Sequence, residues 1–295
     1  MASRDKRLDT NVAGDVFVDE TCIDCGTCRW MAPRSFDRYG KHSRVYRQPA
    51  TDEERRKALK ALVSCPTGSI GTMDKVDLKP IVASFPDPIA DGVYHCGFHH
   101  ESSFGAASYL IVREAGNVLV DSPRFQRKLV RRIDELGGVK TMFLTHKDDI
   151  AEHERFRAHF GCSRILHADD VEQGTRAVEH KLTGTDPIAL DDELLAIPVA
   201  GHTRGSVCLL YRGRILFGGD HVAYSLRLGH VYSFHRACWY DWHEQIASME
   251  RLAEHRFVRI LPGHAAPCHF NHRTMAAQMQ QCIAWMRSVA HLSNA

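Results

Sequence analysis

Residues 141–153 read TMFLTHKDDIAEH, an apolar run that ends in a dense group of imidazoles and carboxylates. The apolar residues predict a buried strand, and Asp148 or Asp149 is expected to cap the helix that follows. On a helix that begins near Asp149, His153 lies one turn further along the same face. We therefore expect His146 and His153 to approach a pair of metal ions from two sides, at the end of this strand.

Three short segments further along the chain repeat the pattern, because each follows an apolar run and places His or Asp at its end. They are GHTRGS at 201–206, GGDH at 218–221 and PGH at 262–264, and Asp121 closes a similar run at 117–121. This order of motifs resembles the metallo-β-lactamase superfamily over roughly residues 90–295. The resemblance implies a mixed α+β or α/β fold, the αββα sandwich, built around a dinuclear metal site.

The resemblance also assigns the metal ligands. The superfamily motif Thr-His-x-His-x-Asp-His aligns with the segment from Thr145 to His153, with a carboxylate in place of the second histidine and two extra residues before the final pair. The implied ligands are His146, Asp148 and His202 for one ion, His153 and His264 for the other, and Asp220 as the bridge between them.

Three carboxylates are candidate catalytic residues around these ligands. Asp149 and Glu152 compete for the remaining ligand position, and Asp149 is slightly preferred because it is nearer to the strand end. Asp121 matches the superfamily aspartate that orients the ligand loop through hydrogen bonds and does not bind metal.

The carboxylate of Asp148 makes the predicted site harder and more anionic than a histidine would, which favours iron or manganese over zinc. A similar replacement, His-x-Glu, occurs in the flavodiiron branch of the superfamily, whose dinuclear site contains iron. The match to that branch is partial, because Ile150 stands where the branch has an aspartate.

The N-terminal region contains a second metal motif. Cys22, Cys25 and Cys28 are separated by repeated two-residue gaps, and Cys65 follows at the end of a helical stretch and is succeeded by proline. Such a compact loop with one distant thiolate is typical of a 4Fe-4S cluster. Zinc is the alternative, although zinc sites usually pair their thiolates two and two. Residues 12–72 resemble a bacterial-type single-cluster ferredoxin, which implies a small ferredoxin-like domain.

The domain organisation follows from these motifs. We expect a disordered N-terminus at 1–11, the ferredoxin-like domain at 12–72, a proline-rich linker at 73–91 and the metallo-β-lactamase-fold domain at 92–295. The pattern TDEE beginning at Thr51 predicts a capping box and a helix that leads to the fourth cysteine.

The composition limits the classes of partner. The chain has 295 residues, 44% of them hydrophobic and 25% charged, and a net charge of +2, which gives no reason to expect nucleic acid or a membrane as a partner. The start of the sequence has no apolar core of a signal peptide, so we expect a cytoplasmic protein whose clustered cysteines bind metal. A small-molecule substrate, a redox partner for the cluster and a homo-oligomer are compatible with this composition.

Three functions remain open. A dinuclear site can activate water for hydrolysis of an ester, thioester or lactone, with zinc or manganese as the metal and the cluster as an accessory. Iron in the same scaffold can bind a reducible ligand, and the fused cluster would supply its electrons. A sensor without turnover would keep the ligands and have little need of a substrate pocket. We favour the oxidoreductase, with the cluster and two divalent metal ions, iron preferred, as cofactors.

Overall fold

Residues 2–291 are described by the computed structural model, and they form two compact units. The first unit comprises the described residues up to Met142 together with Ala151–Cys162, and the second comprises Phe143–Ile150 and the described residues from Ser163 onward. The strand Thr141–Phe143 (β9) lies where the chain passes from the first unit to the second.

The first unit contains eight complete strands and five helices among its described residues. The strands are β1 (Val16–Val18), β2 (Phe36–Tyr39), β3 (His42–Val45), β4 (Ile70–Thr72), β5 (Asp87–Ala90), β6 (Val93–His95), β7 (Tyr109–Ile111) and β8 (Val118–Val120). The helices are α1 (Thr27–Met31), α2 (Asp52–Ser64), α3 (Lys79–Ala83), α4 (Arg127–Glu135) and α5 (His153–Phe160).

The N-terminal part of this unit is a small layered structure with its own core. β1 pairs with β4, and β2 with β3, both in antiparallel fashion. The buried side chains of this core include Val16, Phe36, Val45 and Ile70. As the sequence predicts, Thr51 caps α2, because its hydroxyl accepts a hydrogen bond from the backbone N–H three residues on. Helix α2 therefore ends directly before the fourth cysteine of the cluster motif.

The segments predicted as a disordered N-terminus and as a linker both contain defined elements. Within the predicted disordered N-terminus, Arg4–Lys6 form a 3₁₀ turn, and the buried Asn11 amide bonds the backbone of Leu8, Val18 and Val45. One asparagine thus satisfies several backbone groups of this part of the chain, an arrangement that composition does not reveal. Similarly, the predicted linker at 73–91 contains α3 and β5, and β5 pairs with β6.

The rest of the first unit is an antiparallel meander, in which β5, β6, β7 and β8 pair in that order. The predicted cap of the helix after 141–146 is wrong. Helix α5 begins at His153 after Glu152, and the chain first turns through Ala151, whose φ of 28° is left-handed. Asp148 and Asp149 therefore lie in a turn ahead of the helix, and His153 opens the helix instead of following one turn along it.

The second unit contains ten complete strands and two helices among its described residues. The strands are β10 (Ser163–His167), β11 (His180–Leu182), β12 (Ile188–Ala189), β13 (Leu194–Pro198), β14 (Val207–Tyr211), β15 (Ile215–Gly219), β16 (Ala223–Ser225), β17 (His230–Tyr232), β18 (Arg259–Pro262) and β19 (Cys268–His269). The helices are α6 (Trp242–Leu252) and α7 (His272–Val289).

The main sheet of this unit has the strand order β12-β13-β14-β15-β18-β19. β13 and β14 are antiparallel, β14 and β15 are antiparallel, and β15 and β18 are parallel. β13, β15 and β18 therefore run in the same direction, and their carboxyl ends meet at one edge of the sheet. Helices α6 and α7 bury Met249, Met279 and Ile283 in a core that also contains Leu216 of β15.

Helix α7, with 18 residues the longest of the described helices, is not apolar enough to cross a membrane, and neither is any other described helix.

Candidate functional site

The edge at which β13, β15 and β18 end is the candidate metal site of the second unit. The loop after β13 contains His202, the segment after β15 begins with Asp220, and the segment after β18 contains His264. The loop that contains His146 and Asp148 joins the same edge, because the Thr145 carbonyl accepts a hydrogen bond from the backbone N–H of Val207 at 2.8 Å.

Two overlapping groups of side chains have the spacing of metal ligands. The first is His146, Asp148 and His202, and the second is His146, Asp149 and Asp220, with ligand atoms within 4.8 Å of one another in each group. Asp220 Oδ2 lies 3.9 Å from His146 Nε2, 3.7 Å from His202 Nε2 and 3.6 Å from His264 Nε2. Asp220 is thus the residue on which the histidines converge, the position expected of a bridging ligand.

The donor atoms fit a metal in chemistry as well as in spacing. His146 and His202 are 1% and 2% exposed, and Asp220 is 9% exposed. Within residues 2–291, His146 Nε2, His202 Nε2 and Asp220 Oδ1 are buried without a hydrogen-bond partner. Buried polar atoms without a partner are costly, and bound metal ions would satisfy them.

The imidazoles of His146 and His202 are each oriented by a contact at Nδ1, the ring nitrogen that faces away from the site. Thr145 Oγ1 lies 3.0 Å from His146 Nδ1, and the Nδ1–H of His202 donates to the Ala237 carbonyl. These bonds leave each Nε2 atom directed at the site. Ligand histidines in metal centres are commonly fixed in this way, since the second hydrogen bond selects the tautomer and the ring orientation.

The charges at the site are coupled. Burial lowers the pKa of His146 to about 4, which keeps its imidazole neutral and able to coordinate. Burial also disfavours the charged form of His202, but Asp148 and Asp220 prevail and raise its pKa. The pKa of Asp148 is held below its ordinary value, chiefly by His202. His202 Nε2 and Asp148 Oδ2 form an ion pair at 3.3 Å, without the geometry of a hydrogen bond.

A buried aspartate that the sequence analysis missed holds the two ligand loops together. Asp170 is 1% exposed and accepts hydrogen bonds from Lys147 N at 3.0 Å, Thr203 Oγ1 at 2.6 Å and Gly205 N at 2.7 Å. Lys147 lies between two predicted ligands, and Thr203 follows His202. Asp170 follows shortly after the end of strand β10, as the residues of the other motifs follow their strands. Asp170 could therefore have been recognised from the sequence by the same pattern.

Two glycines allow the close approach that the site requires. A Cβ atom added at Gly263 would lie 2.7 Å from Asp220 Oδ1 and 2.8 Å from Asp149 Oδ2. At Gly219, which has a φ of 48°, a Cβ atom would lie 2.7 Å from Thr145 Oγ1. Any larger side chain at these positions would displace a ligand carboxylate or the threonine that orients His146.

The remaining predicted site residues lie in the first unit, and each has a defined environment there. Glu152 accepts hydrogen bonds from Phe125 N, at 2.6 Å, and from Arg155. Asp121 is 3% exposed and has a left-handed φ of 57°, and the buried His153 opens α5. Of the two competing carboxylates, Asp149 therefore has the ligand spacing, whereas Glu152 binds the backbone and an arginine.

The first unit contains the second candidate centre. Cys22, Cys25, Cys28 and Cys65 line one pocket, whose wall also includes Val18, Ile23 and Ile70. Backbone N–H groups point at two of the sulfurs, from Ser43 to Cys22 Sγ at 3.4 Å and from Ser69 to Cys65 Sγ at 3.3 Å. Thiolates with N–H donors and an apolar wall are the environment in which iron–sulfur clusters are bound and their potentials set.

The cluster pocket is also in contact with residues from beyond the ferredoxin-like segment. A Cβ atom added at Gly105, where φ is 82°, would lie 3.0 Å from Cys25 Sγ. The Arg124 guanidinium donates to the Val63 carbonyl at 3.1 Å and to the Cys65 carbonyl at 3.5 Å. The segment that carries the fourth cysteine is therefore anchored by a residue that follows β8.

Comparison with protein families supports the cluster motif of the first unit. Residues 18–72 match the family described as the 4Fe-4S single cluster domain of Ferredoxin I. None of the curated proteins compared with the chain matches it significantly.

Three solved metallo-β-lactamases are similar to the chain in structure. VMB-1 has 16% identity and a TM-score of 0.52, covering 69% of this chain and 96% of its own. FIM-1 from Pseudomonas aeruginosa, in its mono-zinc form, has 18% identity and a TM-score of 0.51, covering 67% and 93%. The B3 enzyme BLEG-1 has 15% identity and a TM-score of 0.51, covering 66% and 99%. The predicted metallo-β-lactamase fold with a ferredoxin-like N-terminal region is thus confirmed.

Proposed function

We propose that the chain is an oxidoreductase with iron at the site of the second unit and one 4Fe-4S cluster in the first. The observation that carries the proposal is the group His146, Asp148 and His202. Two imidazoles and one carboxylate with open positions are typical of non-haem iron(II) sites. Some zinc hydrolases use the same set of ligands, so the preference for iron rests on this group together with the 4Fe-4S cluster motif of the same chain.

The second group of ligand atoms supports a second ion. Asp149 and Asp220 are carboxylates near His146, and His264 approaches Asp220 from the end of β18. The role of His153 as a further ligand stays a prediction from the sequence. A site with this many carboxylate oxygens favours hard or borderline cations such as iron and manganese.

When loaded with iron, such a site supplies the binding and reduction of a small ligand such as dioxygen or nitric oxide. The residues of the chain position and protect it. Asp170 fixes the two ligand loops, and the Ala237 carbonyl fixes the ring of His202. Trp239, 66% exposed, has its ring centroid 6.1 Å from that of His202, and it forms an aromatic wall against which a substrate can pack.

The cluster is the second support for a redox function. The four cysteines fit a cubane cluster, and a cluster in the same chain provides single electrons without a separate carrier. A cluster with a purely structural role would not require a carboxylate-rich site elsewhere in the chain. The two features together are explained by one activity that consumes electrons.

Hydrolysis of an ester, thioester or lactone is the second candidate. The observation that favours it is the fold itself, since the comparison structures are metallo-β-lactamases and one of them holds a single zinc ion. In that case Asp220 and the histidines would hold zinc, which would supply the activation of water for hydrolysis.

The test is metal analysis of anaerobically purified wild type and of Asp148→His, which restores the imidazole of the zinc enzymes. We expect the wild type to hold iron at this site in addition to the cluster iron, and Asp148→His to exchange that iron for zinc. The matched control is Asp186→His, at an exposed aspartate of the same unit, which should leave the metal content unchanged.

Zinc in the wild type, equal to that in Asp148→His, would contradict the proposal and favour hydrolysis. Counting acid-labile sulfide in the same samples separates cluster iron from the other iron. A preparation with iron at the ligand site but no labile sulfide would refute the cluster alone.

A further inference from the structure

A chain of buried polar contacts leads away from the cluster pocket, and the site described above does not use it. Cys25 Sγ is 3.4 Å from Thr27 Oγ1, and Thr27 Oγ1 is 3.1 Å from His99 Nδ1. His99 Nε2 is in turn 2.8 Å from His95 Nε2. Thr27, His99 and His95 are 2%, 0% and 5% exposed. Two imidazoles in direct contact, buried beside a cluster ligand, are a costly arrangement that hydrophobic packing alone does not require.

The hydrogen bonds define where the protons are. The Gly105 carbonyl, which can only accept, lies 2.7 Å from His99 Nδ1, so that nitrogen carries a proton. In a neutral His99 the Nε2 atom then has a lone pair, and the Nε2–H of His95 donates to it. His95 Nδ1 is the atom left to accept an additional proton. When His95 Nδ1 accepts a proton, the proton between His95 Nε2 and His99 Nε2 can move to His99, which places a positive charge next to Thr27.

The far end of the chain of contacts is charged and reaches solvent. Asp87 of β5 stands directly opposite His95 of β6 in the antiparallel pair, so their side chains share one face. Asp87 accepts from Lys60 Nζ at 2.6 Å, and its side chain is 35% exposed. Asp87 is therefore a partly exposed carboxylate on the same face of the sheet as His95.

The other groups around the pair are neutral. Trp30 lies against both imidazoles, with ring centroids 5.3 Å from His95 and 6.3 Å from His99. Tyr109 is 5.9 Å from His95, ring to ring, and burial raises the pKa of its phenol. Burial also raises the pKa of Cys96 to about 12. Lys60 and Asp87 are therefore the charges that act on His95, with opposite signs.

We propose that His95 and His99 form a proton relay that takes up one proton when the cluster accepts one electron. The inference rests on the cluster proposed above and adds a role for residues outside its ligands. A one-electron donor, such as a reduced flavin or another iron–sulfur protein, supplies the electron. Water supplies the proton. The oxidised cluster plus one electron and one proton becomes the reduced cluster and a protonated histidine pair, so charge and atoms balance.

The physical reason is electrostatic. Reduction adds one negative charge to the cluster, and in a buried environment that charge attracts a proton more strongly than it would in water. Burial lowers the pKa of His95 to about 4, which keeps the pair neutral near pH 7 before reduction. Protonation of the pair on reduction offsets the added charge, so the reduced cluster is more stable at lower pH.

The test is the midpoint potential of the cluster, measured on the full chain by anaerobic titration between pH 6 and pH 9. For one proton per electron, each tenfold change in proton concentration shifts the potential by about 59 mV. We expect the wild type to approach this slope within the range, and His95→Gln and His99→Gln to lose it. His100→Gln is the matched control, because His100 is the next residue and binds Ser102 N instead of the relay.

A potential of the wild type that does not depend on pH overturns the relay, and so does a slope that persists in both relay variants. If the variants do not retain the cluster, redox-difference infrared spectra of the wild type with ¹⁵N-labelled histidine decide the matter. An isotope-sensitive imidazolium band that appears on reduction supports the relay, and its absence overturns it. A wild type without labile sulfide would refute the cluster itself, which is a distinguishable result.

Discussion

Replacing Asp170 by asparagine tests whether the hydrogen bonds of this residue hold the two loops of the candidate metal site in position. The carboxylate accepts two hydrogen bonds at Oδ2, from Lys147 N and Thr203 Oγ1, and one at Oδ1, from Gly205 N. Asp170→Asn keeps the size of the side chain, but it replaces one acceptor oxygen by an NH₂ group that faces a donor. At least one buried backbone N–H then loses its acceptor, and the remaining bonds lose the charge.

The size of the effect follows from these contacts. A hydrogen bond to a charged group contributes about 1.5–3 kcal/mol. With one bond lost and the others weakened, we expect the free energy of unfolding to fall by about 2–4 kcal/mol. Loss of a group that orients metal ligands usually lowers metal affinity by about 10–100-fold. Affinity is measured by competition with a chelator, and stability by urea unfolding of the metal-free protein.

The control is Asp169→Asn, at the neighbouring aspartate, whose side chain is 44% exposed. Its described side-chain contacts are an ion pair with Arg204 at 3.5 Å and a contact with His167 at 3.9 Å. It should change stability by no more than about 0.5 kcal/mol. If Asp170→Asn and Asp169→Asn have the same metal affinity and the same stability, the inference that Asp170 holds the ligand loops is wrong.

Gly263→Ala should lower metal content while far-ultraviolet circular dichroism stays unchanged, because the added Cβ would lie within 3 Å of Asp220 and Asp149; full metal content would contradict this geometry. Because the pKa of His95 is lowered in the folded protein, this histidine takes up a proton at a higher pH in the unfolded chain. The free energy of unfolding should therefore decrease from about pH 6.5 towards pH 4, by up to about 1.4 kcal/mol per pH unit from this one group. His95→Gln should reduce this slope by one proton, and an unchanged slope in urea unfolding at each pH would count against it. Thr51→Ala should cost about 1 kcal/mol in stability and speed cluster loss, whereas Thr51→Ser should match the wild type; equal behaviour of the two would show that the cap is unimportant.

The candidate metal site could be recognised in the sequence because its proposed ligands follow strands. His202, Asp220 and His264 each stand after an apolar run, and the parallel direction of β13, β15 and β18 brings them to one edge. Periodicity and residue type carry that information, since a buried strand that ends in His or Asp is otherwise unfavourable. The cluster motif formed by the four cysteines could likewise be recognised from their spacing alone.

The local geometry was less predictable. The helix expected to begin at Asp149 begins at His153, because the intervening residues form turns that direct the carboxylates of Asp148 and Asp149 into the site. Propensity cannot distinguish a capping aspartate from a ligand aspartate. Asn11 was missed for a related reason, since its hydrogen bonds join strands that are distant in sequence. Asp170 shared the strand-end signal of the ligands but lacked a histidine beside it.

In the proposed function, the cluster and the carboxylate-containing metal site serve one redox reaction. The most direct measurement is to reduce the cluster with dithionite under anaerobic conditions, mix the protein with dioxygen or nitric oxide, and follow reoxidation of the cluster by stopped-flow absorbance. We predict that the wild type reoxidises faster than His264→Ala, and that the Asp186→His control matches the wild type. Equal rates in wild type and His264→Ala, together with hydrolysis of thioesters or lactones by metal-loaded protein from which the cluster has been removed, would contradict the claim and establish a hydrolase.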